Sequence, residues 1–243
     1  MHVLFSNCNF YHKILCMRLS IVIPAYNEGV HIERIVRDIN GELQKVESDF
    51  EIIIIDNGSL DNTWVILEAL QAEMPRVRVR RVFPNAGYGG GILAGLSMAR
   101  GEIIGWTDGD GQIPPGILRE MYGKLRQENF VFLKARRTVR HDGILRAVQS
   151  KIYNFIFHVL FSSSVNDVNA KPKLFRRSFY ENVALASTDL FIDAEIVIKA
   201  LRLNVFIKEY PIVFQSRKDG ASKVGLGAGL EFIKNLLYYR FFK

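Results

Sequence analysis

Cysteine is nearly missing from this chain. Of 243 residues only Cys8 and Cys16 are cysteine, and both lie near the N-terminus. With no CxxC pair and no spaced cysteine framework, a disulfide-stapled scaffold and a thiolate zinc site are excluded. The five histidines are scattered, with no pair at ligand spacing. Long apolar runs are missing too: no stretch reaches the roughly 18–20 residues that a membrane-spanning helix needs. The longest candidate, Ile152 to Val165, is broken by Asn154, His158 and three serines. Met1 to Cys16 is too polar in its middle for a signal peptide. Internal repeats and low-complexity tracts are absent, which excludes collagenous and disordered classes. The composition suits a reducing, cytosolic compartment. Because a strand pattern starts directly after Met17, residues 1–17 read as a tail or extension outside the fold.

What is present describes a globular chain with a real core. Hydrophobic residues make up 49% and charged residues 23%, the balance of one domain or two small ones. The net charge of +7 is unevenly spread. Residues 18–110 carry nine Lys/Arg against fourteen Asp/Glu, and residues 111–243 carry 22 against 11. An acidic half joined to a basic half suggests a cation site in the first and phosphate groups in the second. A generally solvated basic surface would look the same on charge alone.

Strand and helix periods alternate along the first half. Leu19 to Ile23 is an apolar run, and Ile32, Ile35, Val36, Ile39 and Leu43 then repeat at helical spacing. Glu51 to Ile55 is apolar on both sides, the pattern of a central parallel strand. A helix with Trp64, Leu67, Leu70 and Met74 on one face follows, then a strand through Val77, Val79 and Val82. A glycine-rich turn, Asn85 to Gly91, is expected to lead into a helix through Leu96 and Met98. Glu102 to Trp106 forms the fourth strand. This alternation predicts an α/β fold with a mostly parallel central sheet flanked by helices and right-handed crossovers. Beyond residue 128 the expectation is a strand at Phe130–Ala135, a basic loop and a long apolar helix, Ile144 to Phe161. A short strand at Lys173–Phe175, two helices and a strand over Val205–Phe214 then follow. With no linker visible, residues 18–225 read as one domain, divided into a nucleotide and metal half (18–112) and an acceptor half (113–225). Residues 226–243 read as a C-terminal amphipathic helix.

Ligands of parallel α/β sheets bind at the carboxyl ends of the strands. Four such ends are polar here and are expected to converge: Pro24 to Glu28, Asp56 to Ser59, Asn85 to Gly89, and Asp108 to Gln112. Asp108-x-Asp110 is the sharpest signal. Two adjacent carboxylates repel unless a divalent cation lies between them and a diphosphate. Oxygen ligands favour Mg²⁺ or Mn²⁺, and Gln112 can add a neutral oxygen; the plain alternative is an Asp-Gly turn. Asp56 can accept a base N–H or cap the next helix, a task Asp61 or Ser59 can perform instead. Glu28 fits either a site role or the first turn of a helix. Gly89-x-Gly91-x-x-Ala94 formally matches a dinucleotide fingerprint, but it follows the third strand and not the first. These glycines read as a loop that comes close to a ligand, or as a tight turn. In the basic half, Arg136, Arg137, Arg140 and Arg146, and later Arg217, Lys218 and Lys223, suit phosphate contact or ordinary surface solvation. No nucleic-acid-binding motif is present, and an acidic crevice is wrong for a polyanion.

Taken together these strand ends resemble the inverting family-2 glycosyltransferases of the GT-A fold, most closely the dolichyl-phosphate mannose synthases and related polyprenyl-phosphate glycosyltransferases. The carrying segments are Ile21-Val-Ile-Pro-Ala-Tyr-Asn-Glu28, Ile55-Asp-Asn-Gly-Ser59, Asn85-x-Gly-Tyr-Gly89, Ala99-Arg-Gly-Glu-Ile-Ile104, Asp108-x-Asp110-x-Gln112 and Arg217-x-x-Gly-x-Ser-Lys223. The resemblance implies that Pro24, Tyr26, Glu28 and Asp56 hold the nucleoside. It implies that Asp108, Asp110 and Gln112 hold Mg²⁺ or Mn²⁺. Arg136, Arg146, Arg217 and Lys223 would hold the donor diphosphate or the acceptor phosphate, and with Asp110 they make up the implied catalytic set. Gly87, Ser150 and Ser222 complete the substrate-binding set, and Asp167 and Glu195 stand where the family often has acids. Two segments depart from the family pattern. Asn57 replaces a usual second acid, and Asp167 to Phe175 differs from the synthase version.

The implied reaction moves a sugar from a GDP- or UDP-linked donor to a membrane polyprenyl (dolichyl or undecaprenyl) phosphate. An acceptor phosphate is already ionised near neutral pH (second pKa about 6) and needs no base. A hydroxyl acceptor on a polysaccharide or glycolipid would need one, and Asp193 or Glu195 would be the candidates. A nicotinamide-dependent oxidoreductase is the reading of another class. A polyprenyl acceptor places the chain on the cytoplasmic face of a membrane as a peripheral protein. Two apolar segments, Ile144 to Phe161 and Phe232 to Phe242, could lie at the interface, pack on the sheet, or meet a membrane-anchoring subunit.

Overall fold

The computed structural model describes residues 17–140, 144–215 and 228–242. Strands β1 (Leu19–Ala25), β2 (Phe50–Asp56), β3 (Val77–Arg81) and β4 (Ile103–Trp106) alternate with helices α1 (Ile32–Gln44), α2 (Thr63–Glu73) and α3 (Gly87–Leu96). After α4 (Gly116–Glu128) come β5 (Phe132–Arg140), α5 (Ile144–Phe161), β6 (Lys173–Arg176), α6 (Arg177–Tyr180), α7 (Ile192–Arg202), β7 (Ile207–Phe214) and α8 (Ala228–Phe242). The seven strands among the described residues join one sheet in the order β3-β2-β1-β4-β6-β5-β7. Only β6 runs antiparallel to its neighbours. The two halves of the chain therefore share a single sheet, with the seam at β4 and β6.

Period-two alternation sorts the strand residues between two cores. Ile21, Ile23, Ile52 and Ile54 face one side and pack with α1, α2 and α4 through Ile35, Leu67 and Leu118. Val22, Ile53 and Ile55 face the other and meet Ile92 and Leu96 of α3, Phe157 of α5 and Ile196 of α7. Every residue of β2 is buried, as a strand covered on both faces requires. At the sheet edge, Pro211 in β7 sits opposite Arg136. An edge position tolerates the missing N–H.

Three sequence expectations are corrected. The glycine-rich segment is no loop: α3 begins at Gly87 and carries these glycines in its first turns. The supposed basic loop is strand, because β5 continues through Arg140 by pairing with β7 across an irregularity between Arg137 and Val139. Helix α4 had no place in the periodicity; it buries Leu118, Met121, Tyr122 and Leu125 and ends on left-handed Asn129 (φ 56°).

Candidate active site

The carboxyl ends of β1 and β2 are stitched together by side chains. Asn27, itself left-handed (φ 52°), donates its backbone N–H to Ser59 Oγ at 2.9 Å, and its Oδ1 accepts Leu60 N at 2.8 Å. Glu28 N donates to Thr63 Oγ1 at 2.9 Å, and Gly29 N to Asp61 Oδ2 at 3.2 Å. Asp61 also accepts Thr63 N at 3.0 Å, so Asp61 serves the opening of α2 and Asp56 is spared that duty. A second stitch joins β2 to α3. Asn57 Nδ2 donates to Gly87 O at 2.7 Å and to Asn85 Oδ1 at 3.3 Å, while its Oδ1 accepts Ala86 N at 3.0 Å. Such bonding needs an amide, with a donor on one side and an acceptor on the other.

These stitches bring Pro24, Tyr26, Glu28 and Asp56 to one rim. Asp56 is fully buried at the end of β2. Its Oδ1 accepts Ser59 N at 3.1 Å. Its Oδ2 lies 3.1 Å from Arg81 Nε yet has no hydrogen bond of acceptable geometry. A buried acceptor left without a well-aligned donor is ready for a ligand N–H. Gly87 (φ 81°) and Gly89 play a different part from the one expected. A side chain at either would strike the backbone of Ser187, Thr188 or Asp189. The close approach they permit is therefore by protein backbone, and Gly90 N donates to Thr188 O at 3.0 Å.

One strand beyond β1, the Asp-x-Asp turn follows β4. Asp108 Oδ1 accepts the Tyr88 hydroxyl at 2.8 Å, and its Oδ2 lies 3.3 Å from Lys171 Nζ. Asp110 Oδ1 accepts Gln112 N at 3.1 Å. The Gln112 side-chain amide donates to Gln215 O at 3.0 Å, and the Gln112 backbone carbonyl accepts Gln215 N at 3.0 Å, clipping the end of β7 to this turn. Lys171 also reaches Asp193 Oδ2 at 3.2 Å and lies over the Tyr88 ring at 4.9 Å. Asp193 Oδ1 in turn meets Lys173 Nζ at 2.5 Å and accepts Trp106 Nε1 at 3.2 Å. Burial lowers the Lys171 ammonium, but Asp108 and Asp193 outweigh it and hold the pKa above the ordinary lysine range. Burial pulls Lys173 down to about 8, with Asp193 restoring only part. Burial, with Asp108 beside it, pushes the Tyr88 phenol up, so it remains a donor. Sequence reasoning did not single out Tyr88, Lys171 or Lys173. Two lysines flanking Pro172 at the start of a buried strand were the available signal.

Asp108 and Asp110 form an oxygen-only set suited to Mg²⁺ or Mn²⁺. Among the described residues no cluster of three or more His, Cys, Asp or Glu could hold a metal by itself. Two carboxylates with the remaining positions left to phosphate and water is the usual way Mg²⁺ is held beside a diphosphate, so the residues fit such an ion.

In the second half, Arg136 and Arg137 alternate across β5. Arg137 pairs with Asp167 through two side-chain bonds at 2.8 and 2.5 Å and a backbone N–H at 2.9 Å. Burial raises the Asp167 carboxyl, but Arg137 outweighs it and holds the pKa at about 2. Arg136 keeps a buried Nε without a hydrogen-bond partner. Glu195, expected as an acid of the site, is instead a pin. It accepts Ser187 N at 2.8 Å and the Tyr239 hydroxyl at 2.7 Å, and pairs with Lys199 at 2.9 Å. Glu195 and Asp193 are each buried and engaged with protein partners in this structure. Ser150 lies on α5, where its carbonyl and hydroxyl take Asn154 Nδ2 at 2.7 and 3.4 Å. The side chain of Arg146, and Arg217, Lys218, Ser222 and Lys223, lie outside the described residues.

Known proteins share this architecture. The dodecaprenyl-phosphate galacturonate synthase of Rhizobium johnstonii is 27% identical over 231 residues, covering 93% of this chain and 67% of that protein. The glucosyl-3-phosphoglycerate synthase of Mycobacterium tuberculosis, solved with Mn²⁺, UDP and glucosyl-3-phosphoglycerate, superposes with a TM-score of 0.72 at 19% identity, over 92% of this chain and 80% of that one. S. aureus TarS, solved with UDP-GlcNAc, gives a TM-score of 0.63 at 17% identity, over 93% and 68%. At such identities the structural matches speak for the GT-A fold alone. The profile of Glycosyl transferase family 2 matches residues 20–184. That match takes in all four strand ends and the sheet seam, and the chain belongs to glycosyl transferase family 2: it is a glycosyltransferase.

Proposed function

We propose that this glycosyltransferase moves a sugar from a UDP- or GDP-linked donor to a polyprenyl phosphate, with inversion and with Mg²⁺ or Mn²⁺ bound. The observation that carries the proposal is the convergence of the buried Asp56 carboxylate and the Asp108-x-Asp110 turn on the carboxyl ends of β2 and β4, with β1 between them. Asp56, Pro24, Tyr26 and Glu28 receive the nucleoside. Asp108, Asp110 and Gln112 would hold the ion, and the Gln112 amide nitrogen also braces their turn against β7. When bound, the ion neutralises charge on the departing diphosphate. The anomeric C–O bond to the diphosphate breaks and the diphosphate leaves with the electron pair. An acceptor phosphate oxygen forms the new C–O bond from the opposite face, which inverts the centre.

The acceptor reading rests on two supports. The galacturonate synthase relative is named for a dodecaprenyl phosphate. The two carboxylates that could serve as a base for a hydroxyl, Asp193 and Glu195, are buried and engaged. A phosphate dianion needs no base, and Arg136, Arg146, Arg217 and Lys223 are assigned to phosphate in the donor or acceptor. In this reading residues 18–112 form the donor half and 113–225 the acceptor half. No helix among the described residues is long and apolar enough to cross a membrane, and the chain works as a peripheral protein on the cytoplasmic face. The test is a thermal-shift panel of UDP- and GDP-sugars with and without Mn²⁺, followed by transfer to a short-chain prenyl phosphate and to sugar alcohols. Stabilisation by one nucleotide sugar only with Mn²⁺, and transfer to the phosphate alone, is the expected result. Transfer only to hydroxyl acceptors would overturn the acceptor assignment.

A further inference from the structure

Helices α5 and α8 pack side by side and each has two faces. Their inner faces enter the core through Tyr153 and Phe157 on α5 and Leu236 and Tyr239 on α8. Their outer faces do the opposite. Val148, Ile152, Phe155 and Val159 form one stripe on α5, each between 47% and 69% exposed. Leu237, Tyr238, Phe241 and Phe242 on α8 are between 42% and 77% exposed. Single exposed apolar residues need no explanation, but eight on two adjacent helices mark a contact surface.

The charges around this surface name its partner. Lys151 sits within the α5 stripe, and Lys234 and Arg240 are exposed on α8. No Asp or Glu occurs from Gly143 to Asn166, and Glu231 is the only acid from Ala228 to Phe242. Among the described residues the exposed charges on these two helices are cations, and an apolar face carrying cations complements an anionic lipid surface, where aromatic rings enter the headgroup layer and lysines meet phosphates. Position agrees. β5 runs parallel to β7 and antiparallel to β6, and so in the same direction as β4. Its last residue, Arg140, lies on the site side of the sheet, and α5 starts four residues later.

We propose that the outer faces of α5 and α8 form one surface that seats the protein on an anionic bilayer, with the donor site held at headgroup level. The purpose of that seat, access to a lipid phosphate, rests on the polyprenyl-phosphate reading; the seat itself rests on exposure and charge.

Flotation of the full chain with vesicles of phosphatidylcholine containing about one third phosphatidylglycerol tests it. Wild-type protein should float at low salt and lose at least about tenfold of its partitioning in pure phosphatidylcholine or in high salt. The Phe155→Gln/Phe241→Gln variant should lose about tenfold as well, and Lys151→Ala/Lys234→Ala should weaken binding in the same direction. Circular dichroism melts of both should match wild type, since all four positions are exposed. Wild-type protein that stays at the bottom, or variants that float undiminished, would overturn the proposal. So would light scattering that shows a wild-type dimer broken by Phe155→Gln/Phe241→Gln with no flotation, which would assign the surface to a second copy. Transfer to a short, water-soluble prenyl phosphate should be unchanged in both variants. If wild type floats but transfers to no prenyl phosphate, the acceptor reading fails and the docking surface stands.

Discussion

Replacing Asn57 by aspartate changes one nitrogen to oxygen and nothing in shape. The amide donates to Gly87 O at 2.7 Å and Asn85 Oδ1 at 3.3 Å, and accepts Ala86 N at 3.0 Å. A carboxylate keeps the last bond and turns the first two into oxygen facing oxygen. The site is buried, and the neighbouring Asp56 carboxylate is buried beside it with the same charge. Leaving one buried acceptor unsatisfied costs about 1–3 kcal/mol. Two such acceptors and a like-charge neighbour bring the expected loss to about 2–4 kcal/mol. For a chain of this size each kcal/mol lowers Tm by about 2–4 °C, so the fall should be about 5–15 °C. Protonating the introduced carboxylate restores an O–H donor, so its folded pKa lies above the unfolded one. The lost stability is therefore recovered below the ordinary carboxylate pKa and lost again as pH rises through the folded value. Differential scanning calorimetry from pH 7 down to pH 5 is the assay. A Tm within about 1 °C of wild type at pH 7, or a deficit that grows on acidification, would refute this account of the β2–α3 stitch.

Three further outcomes are expected. Asp110→Ala should abolish Mn²⁺-dependent UDP binding by calorimetry while the protein stays folded, because it removes a ligand from a partly exposed turn; unchanged affinity would remove Asp110 from the metal set. Lys171→Met should raise the affinity for Mn²⁺ alone by about tenfold or more, since it removes a positive charge 3.3 Å from Asp108 Oδ2; equal electron-paramagnetic-resonance titrations would show that Lys171 does not oppose the ion. Asp167, held at about 2 against an ordinary 3.8, should contribute about 2 kcal/mol that is present above its ordinary pKa and lost as pH falls through the folded value. Asp167→Asn should accordingly show a urea-denaturation deficit at pH 7 that shrinks by about half at pH 3; a deficit independent of pH would assign the effect to packing.

The sequence alone determined the strand–helix alternation, because period two and period 3.6 are local properties of the chain. The isoleucine run from Ile52 to Ile55 can be buried only on both faces of a central strand, and β2 lies there. The ends of those strands were legible for the same reason: where an apolar run stops at Asp56 or Asp108, polar residues must emerge at the sheet edge. The length of β5 was not legible. Arg136 to Arg140 has the composition of a loop, and only the ladder to β7 makes it strand. The role of the glycines at 87 and 89 depended on which backbone approached them, and the Ser187–Asp189 segment that does so is distant in the chain. Glu195 looked like a site acid until Tyr239, Lys199 and the 186–187 amides surrounded it. Lys171 had no site role in the sequence reading, and only folding placed it between Asp108 and Asp193. Periodicity reports which side of an element is apolar. Which carboxylate keeps an oxygen without a hydrogen bond and which is neutralised by a distant lysine is decided by long-range contacts, and those exist only in the folded chain.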